Sequence, residues 1–351
     1  MIESVEIKNL RGIREGALKD LTPLTVLVGP NSSGKSTVLD ALLMGASNSP
    51  GDSVGQAVGR RSTRDADARW LLWRQGQDGV TTLMVLGHQG QYRRHCSLVW
   101  RSEVPNDLIA RLRELGRESP FSCIEARLSL FNPSQQVSAW TAFAADNSYE
   151  YKQSPEFLPQ YHQRVESEVS FVDMRGVGLG TPLAQLYTES VTQGRREDVL
   201  ELLKVIVPGL RNLEILVSHR LQPVLHLVFS DKSVPVALAG DGIRSMLRLS
   251  LELASRGRGV VLVEEPEVHQ HPKALQQSAK ILLASVRRGL QVVLATHSME
   301  LIDALLLEAT QDDLQNLSTY RLKLEDGVLA SSRLDGDRMA FARGQIEEDL
   351  R

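Results

Sequence analysis

The chain has 351 residues, 42% apolar and 24% charged, which suits an ordinary globular protein with one large domain or two smaller ones. Its formal net charge of −3 gives no global attraction to nucleic acid, and two cysteines, Cys96 and Cys123, exclude a disulfide framework. No apolar run approaches the roughly 20 residues a membrane helix needs, and "MIESVEIKNL" lacks a signal peptide's apolar core, so a cytoplasmic setting is expected.

The first informative stretch is "LTVLVGPNSSGKSTVLDALLMG" (24–45): a short apolar strand, a glycine-bounded loop and a helical pattern. The loop fits G-x-x-x-x-G-K-[ST] at every fixed position, with Gly29, Gly34, Lys35 and Ser36. Glycines let backbone N–H groups of Gly29, Pro30, Asn31, Ser32, Ser33, Gly34, Lys35, Ser36 and Thr37 (the proline excepted) curl around phosphates. The lysine neutralises the β and γ oxygens, the serine hydroxyl holds Mg²⁺, and a positive helix N-terminus adds to anion binding. A nucleoside triphosphate site is expected.

Further on, "RRSTRDADARWLLWR" (60–74) concentrates arginine around Trp70 and Trp73 and reads as a solvated face, with a phosphate-backbone track as the alternative. Residues 80–100 read as a hairpin, "NDLIARLRELGR" (106–117) as a helix capped at Asn106, and "SCIEARLSLF" and "VSAWTAF" as two more strands. "GRREDVLELLKVIVPGL" (194–210) is a helix ended by Pro208. In "VALAGDGIRSMLRLSLELASRG" (236–257), Gly240 and Gly242 flank Asp241 ahead of a helix, and are expected to form a second anion nest, offered to the phosphate of another protomer.

"VVLVEEPEVHQHP" (260–272) packs three acids against the end of an apolar strand, where like charges repel and are costly to desolvate. A divalent cation and a triphosphate would compensate: Glu264 reaching the metal through its waters, Glu265 orienting or deprotonating the attacking water. Side chains adjacent on a strand point to opposite faces, so this division requires the strand to end there, and Pro266 favours that. "LQVVLATHSMELID" (290–303) ends a further apolar strand in Thr296, His297 and Ser298, which places His297 at the sheet edge where ligands bind, as partner of the γ-phosphate or the attacking water. The "DGD" at 335–337 reads as a turn.

In this order, "GPNSSGKST", "GDG" before a helix, "VVLVEEPEVHQHP" and "VVLATHS" resemble an ABC-type ATPase head, within it the overcoming-lysogenization-defect and RecF-like branch that includes ATPases of bacterial anti-phage systems. The opening "IESVEIKNLRGI" is similar to the first strand of such heads. The resemblance implies an α/β P-loop NTPase fold with a mixed central sheet and an antiparallel β-subdomain, the core formed by 1–45 and 169–351 and interrupted by an insertion at 46–168. It further implies ATP and Mg²⁺ as ligands, a homodimer or higher oligomer closed around two nucleotides, slow hydrolysis, and a separately encoded effector such as a nuclease or toxin, with DNA as a further partner and no membrane. Departures are plain. Leu238, Ala239, Gly240, Asp241 and Gly242 lack the serine of the usual Leu-Ser-Gly-Gly-Gln signature, Gln270 stands where leucine is usual, and the glutamine lid is open among Gln75, Gln77, Gln89, Gln91, Gln135 and Gln136. About 48 residues follow Asp303, too few for the appended nuclease domain. Two rivals stand beside this expectation: a RecF-like DNA-repair ATPase, disfavoured because such heads carry paired aspartates, and an ATP-gated scaffold that holds an effector inactive with little turnover.

Overall fold

The structure, a computed structural model, describes residues 1–61, 67–87, 93–130, 136–154, 169–174, 181–218, 221–268 and 270–351. The fold is α/β with a large mixed sheet, as expected. By contact the chain forms two compact units, one of Met1–Thr22, Leu27–Ser170 and Tyr320–Arg333, the other of Pro23–Val26, Phe171–Thr319 and Leu334–Arg351. Residues 46–168 thus belong to the same unit as the N-terminal strands. Among the described residues no helix is long and apolar enough to cross a membrane.

In the first unit β1 (Ile2–Leu10) lies between β2 (Ile13–Lys19) and β4 (Thr81–Gly87), antiparallel to both. β3 (Leu24–Val28) leads into the glycine loop. The ladder continues antiparallel from β4 through β5 (Arg93–Arg101), β6 (Ser122–Leu130), β7 (Gln136–Phe143) and β8 (Tyr149–Gln153). In β4 alternate residues are fully buried, the period-2 signature of a sheet with one covered face. That cover comes from α1 (Lys35–Ala46) and α2 (Pro50–Gly59), while α3 (Asn106–Glu114) packs beside β8. The expected hairpin and strands are all present. The helix starting at Asn106 is also present, but Pro105 occupies its cap position with no side-chain cap bond, so Asn106 does not cap it. On its other edge β2 pairs in parallel with β16 (Val328–Asp335), Glu15 opposite Val328 and Gly16 opposite Leu329. A Cβ on Gly16 would stand 2.5 Å from that of Leu329, so only glycine lets the strands approach.

The second unit is built around β13 (Gly259–Glu264) and β14 (Leu290–Ala295), which pair in parallel from Gly259–Leu290 to Glu264–Ala295. β9 (Val169–Asp173) neighbours β13. β14 is buried at every position, as a continuous apolar run in a parallel sheet demands. α6 (Asp241–Ala254), α7 (Pro272–Arg287) and α8 (Met299–Glu308) pack in series, α7 also against β14. A small antiparallel sheet of β10 (Asn212–Val217), β11 (Pro223–Val228) and β12 (Ser233–Pro235) shares an apolar core with α4 (Leu183–Thr192), α5 (Arg196–Ile206) and α6, contributed by Leu186, Leu203, Leu213, Leu227 and Leu247. α5 stops two residues before Pro208, as the restriction on the residue before proline requires. After α9 (Gln311–Gln315), β15 (Leu317–Glu325) and β16 run towards α10 (Gly336–Ile346). Asp335 caps α10 by accepting from the Arg338 N–H at 2.9 Å, so "DGD" opens a helix.

Candidate functional site

The glycine loop is built for close backbone contact. Gly29 (φ +143°) and Gly34 (φ +95°) both lie where a side chain is strained, and a Cβ on Gly29 would meet the Leu322 carbonyl oxygen at 2.6 Å. Gly34 caps α1 with no side-chain bond and the first turn carries no acid, so the positive end of the helix is not neutralised locally. Lys35 is 6% exposed, and its ammonium donates to the carbonyls of Gly29 (2.8 Å) and Pro30 (2.9 Å) and to Ser33 Oγ (3.4 Å). Asn31 and Ser32 are exposed, and Ser36 and Thr37 half-buried at the head of α1.

Behind the loop, α1 is anchored by Asp40, fully buried and ion-paired with Arg11 at 2.9 Å, with Arg60, and with Arg61 at 3.7 Å. Burial pulls the Arg11 guanidinium below its ordinary pKa, and Asp40 opposes that. An acid inside "TVLDALLM" was the only hint of this cluster in the sequence. It also accounts for part of the arginine-rich stretch. Arg60 and Arg61 turn inward to Asp40, Arg69 pairs with Asp67 at 2.9 Å, and Arg74 with Asp78 at 3.1 Å. These charges are satisfied within the protein, and residues 62–66 lie outside the described ones.

In the second unit β13 ends at Glu264, buried at 2% exposure. Glu265 has left the strand, with φ +49° in the left-handed region, while its N–H still donates to the Ala295 carbonyl at 2.9 Å. The two acids are therefore released from strand alternation as expected. A turn follows, closed by the Val268 N–H on the Glu265 carbonyl at 3.1 Å. The third acid, Glu267, makes the bond that sequence reasoning missed: its Oε1 accepts from Thr296 Oγ1 at 2.7 Å and from the His297 N–H at 2.8 Å. His297 is half-buried, and Ser298 caps α8, its Oγ accepting from the Leu301 N–H at 3.1 Å. His271 caps α7 by accepting from the Lys273 N–H, and Pro272 takes the first helical position, which gives that His-Pro pair a structural task. Gln270 accepts from Ser278 Oγ at 2.7 Å.

At α6 the geometry departs from expectation. Gly240 caps the helix at φ −59°, and neither it nor Gly242 is among the residues with positive φ, so no nest of alternating handedness forms. The cap lacks a side-chain bond, Asp241 stands in the first turn, paired with Arg244 at 3.1 Å, and exposed Leu238 precedes it. Of the glutamine candidates, Gln89, Gln91 and Gln135 lie outside the described residues, Gln75 and Gln77 sit in and just after a 3-10 turn, and Gln136 opens β7.

The loop fits a triphosphate: glycine where a side chain would clash, an uncapped helix end, and a buried ammonium held by oxygens of its own loop. Among the described residues no group of three or more His, Cys, Asp or Glu side chains is arranged to hold a metal ion.

Two family models match, one described as "AAA ATPase domain" over residues 1–65 and one as "AAA domain, putative AbiEii toxin, Type IV TA system" over residues 129–303. The uncharacterized protein MJECL11 of Methanocaldococcus jannaschii is 31% identical over 113 residues, 32% of this chain and 98% of that protein. The uncharacterized protein MJECL10 of the same organism is 43% identical over 74 residues, 21% of this chain, which spans only 30% of that relative's length. Among solved structures, an Smc head bound to the C-winged helix domain of ScpA superposes with TM-score 0.53 at 12% identity, over 95% of this chain and 98% of that one. An Smc head domain with an extended coiled coil, bound to the C-terminal domain of ScpA and derived from Pyrococcus furiosus, gives 0.50 at 11% identity, over 99% of both chains. The chain belongs to the family of the first of these archaeal relatives and carries AAA-family ATPase domains on an ABC-ATPase fold like that of Smc heads.

Proposed function

We propose that the protein is a Mg²⁺-dependent ATPase that dimerises on ATP and passes a conformational change to a separately encoded effector. The observation that carries this is Lys35, a buried ammonium held by the Gly29 and Pro30 carbonyls beside an uncapped helix end. A buried ammonium that donates to its own loop's carbonyls is poised to exchange them for phosphate oxygens, whose charge makes the stronger hydrogen bonds. In this reading the N–H groups of the loop cradle the phosphates and Lys35 neutralises the β and γ oxygens. Ser36 and Glu264 hold Mg²⁺, which when bound neutralises phosphate charge. Glu265 orients the attacking water and accepts its proton, and His297 donates to the γ-phosphate or steadies the water. Residues Gly240 to Gly242 of a second copy present the α6 N-terminus to the same phosphate.

For the effector, support comes from the Smc heads, solved with ScpA domains bound, and from the family description naming a putative toxin of a type IV toxin–antitoxin system. On these grounds the setting is defence, with a nuclease or toxin as partner. Titration of wild type and Lys35→Ala with ATP and Mg²⁺ tests the foundation. Binding is expected in wild type and lost in the variant, and equal affinity would overturn the site. Hydrolysis with and without DNA then separates a turnover enzyme from an ATP-gated scaffold, and purification of the native complex identifies the effector.

A further inference from the structure

Glu267 has no part in the chemistry outlined above, yet its side chain lies between the two elements that carry it. It follows Glu265 by two residues, within the turn that closes on the Glu265 carbonyl. Its Oε1 takes the Thr296 hydroxyl and the His297 N–H together, and Thr296 Oγ1 in turn accepts from the Ser298 N–H at 2.9 Å. A continuous line of hydrogen bonds therefore runs from the acid-bearing turn to the capping residue of α8. The parallel ladder ends at Glu264 and Ala295, so the acid-bearing turn and His297 both lie beyond its last strand pair. The other oxygen, Oε2, is buried and has no hydrogen-bond partner among the described residues. A carboxylate serving only to fill space would not be retained half-satisfied, since an apolar side chain would avoid that penalty.

We propose that Glu267 is a positioning residue: its Oε1 fixes the backbone of His297 relative to the turn bearing Glu265, so that the two groups approach the phosphate in one register. This rests on the ATPase reading. Because Oε2 has no partner among the described residues, glutamine with its carbonyl oxygen at the Oε1 position keeps both accepted bonds, whereas alanine removes both.

The test compares wild type, Glu267→Gln and Glu267→Ala in the full chain, each first shown to melt as a folded protein. Steady-state turnover should fall roughly 10- to 100-fold in Glu267→Ala, the cost of misplacing catalytic groups by about an ångström. KM should stay within about twofold, because ground-state binding is untouched, and Glu267→Gln should restore the rate. A Glu267→Ala rate equal to wild type overturns the proposal. So does a Glu267→Gln rate as low as that of alanine, which would mean that the negative charge itself acts. A second measurement needs no turnover. The His297 ring resonance, followed with and without ATP and Mg²⁺, should shift on nucleotide addition in wild type and Glu267→Gln but not in Glu267→Ala. Persistence of the shift in Glu267→Ala overturns the positioning role, whereas absence of nucleotide binding in wild type would instead sink the ATPase reading and, with it, this role.

Discussion

Glu265 holds a left-handed backbone conformation (φ +49°) that costs a residue with a Cβ about 1–2 kcal/mol. Glycine escapes that cost but carries an unfolded-state entropy penalty of about 0.5–1 kcal/mol relative to alanine. At an ordinary strand or helix position alanine is therefore the more stable choice. Here the order should reverse, with Glu265→Gly more stable than Glu265→Ala by about 0.5–1 kcal/mol once the two terms are set against each other. With a urea dependence of about 1–3 kcal/mol per molar, that is a midpoint difference of about 0.2–1 M, readable by far-UV circular dichroism on the ligand-free protein. Both variants lack the carboxylate and should lose about 10²–10⁴ in turnover, so stability and activity separate. In the proposed mechanism the acid that activates water then sits where its own backbone is strained, as functional residues often do. If the alanine variant unfolds at the same urea concentration as the glycine variant, or a higher one, the left-handed strand end is wrong, and with it the account of how the two acids part company.

Three further outcomes follow. Glu264→Gln should weaken Mg²⁺-dependent ATP binding, whereas Glu265→Gln should keep it and accumulate the ATP-bound dimer, seen as an ATP-dependent shift in size-exclusion chromatography; wild-type turnover in Glu265→Gln would reverse the assignment. Asp40→Ala strands Arg11, Arg60 and Arg61 without their shared carboxylate, and should cost about 3–5 kcal/mol in denaturant unfolding, as removal of one partner from a buried pair does. The Asp313 carboxyl is held well below the usual carboxylate range by Arg287, then by Thr310. A depressed folded-state pKa gives stability that is present at neutral pH and lost as pH falls below about 4, so Asp313→Asn should lower stability at pH 7 and flatten the acid limb of the stability profile.

What could be read from the sequence was what the backbone dictates locally. The loop from Gly29 to Ser36 is recognisable because each residue type answers a short-range demand, and the structure keeps both glycines at positive φ. The end of β13 between Glu264 and Glu265 was legible from Pro266. The role of Glu267 was not, because its partners Thr296 and His297 lie 29 and 30 residues along the chain. Nothing in either segment announces the other. Asp40 likewise finds its arginines only through the fold. Gly240 and Gly242 are a different case, since glycine permits positive φ without requiring it, and neither position uses that freedom. Nor did composition mark the boundary of the two units, which falls between Thr22 and Pro23 and then inside strands β3, β9, β15 and β16, where the residue pattern is continuous.

The parallel pairing of β2 with β16 has a consequence in time. Glu15 and Gly16 are synthesised some 300 residues before their partners Val328 and Leu329. At about 5–20 residues per second a ribosome needs roughly 15–60 s to reach them, and through that interval the outer edge of β2 carries unpaired N–H and C=O groups. An open strand edge recruits other strands, its own chain's or another's. Nascent protein should therefore depend on chaperones holding that edge during synthesis, and refolding from denaturant should aggregate more readily as protein concentration rises.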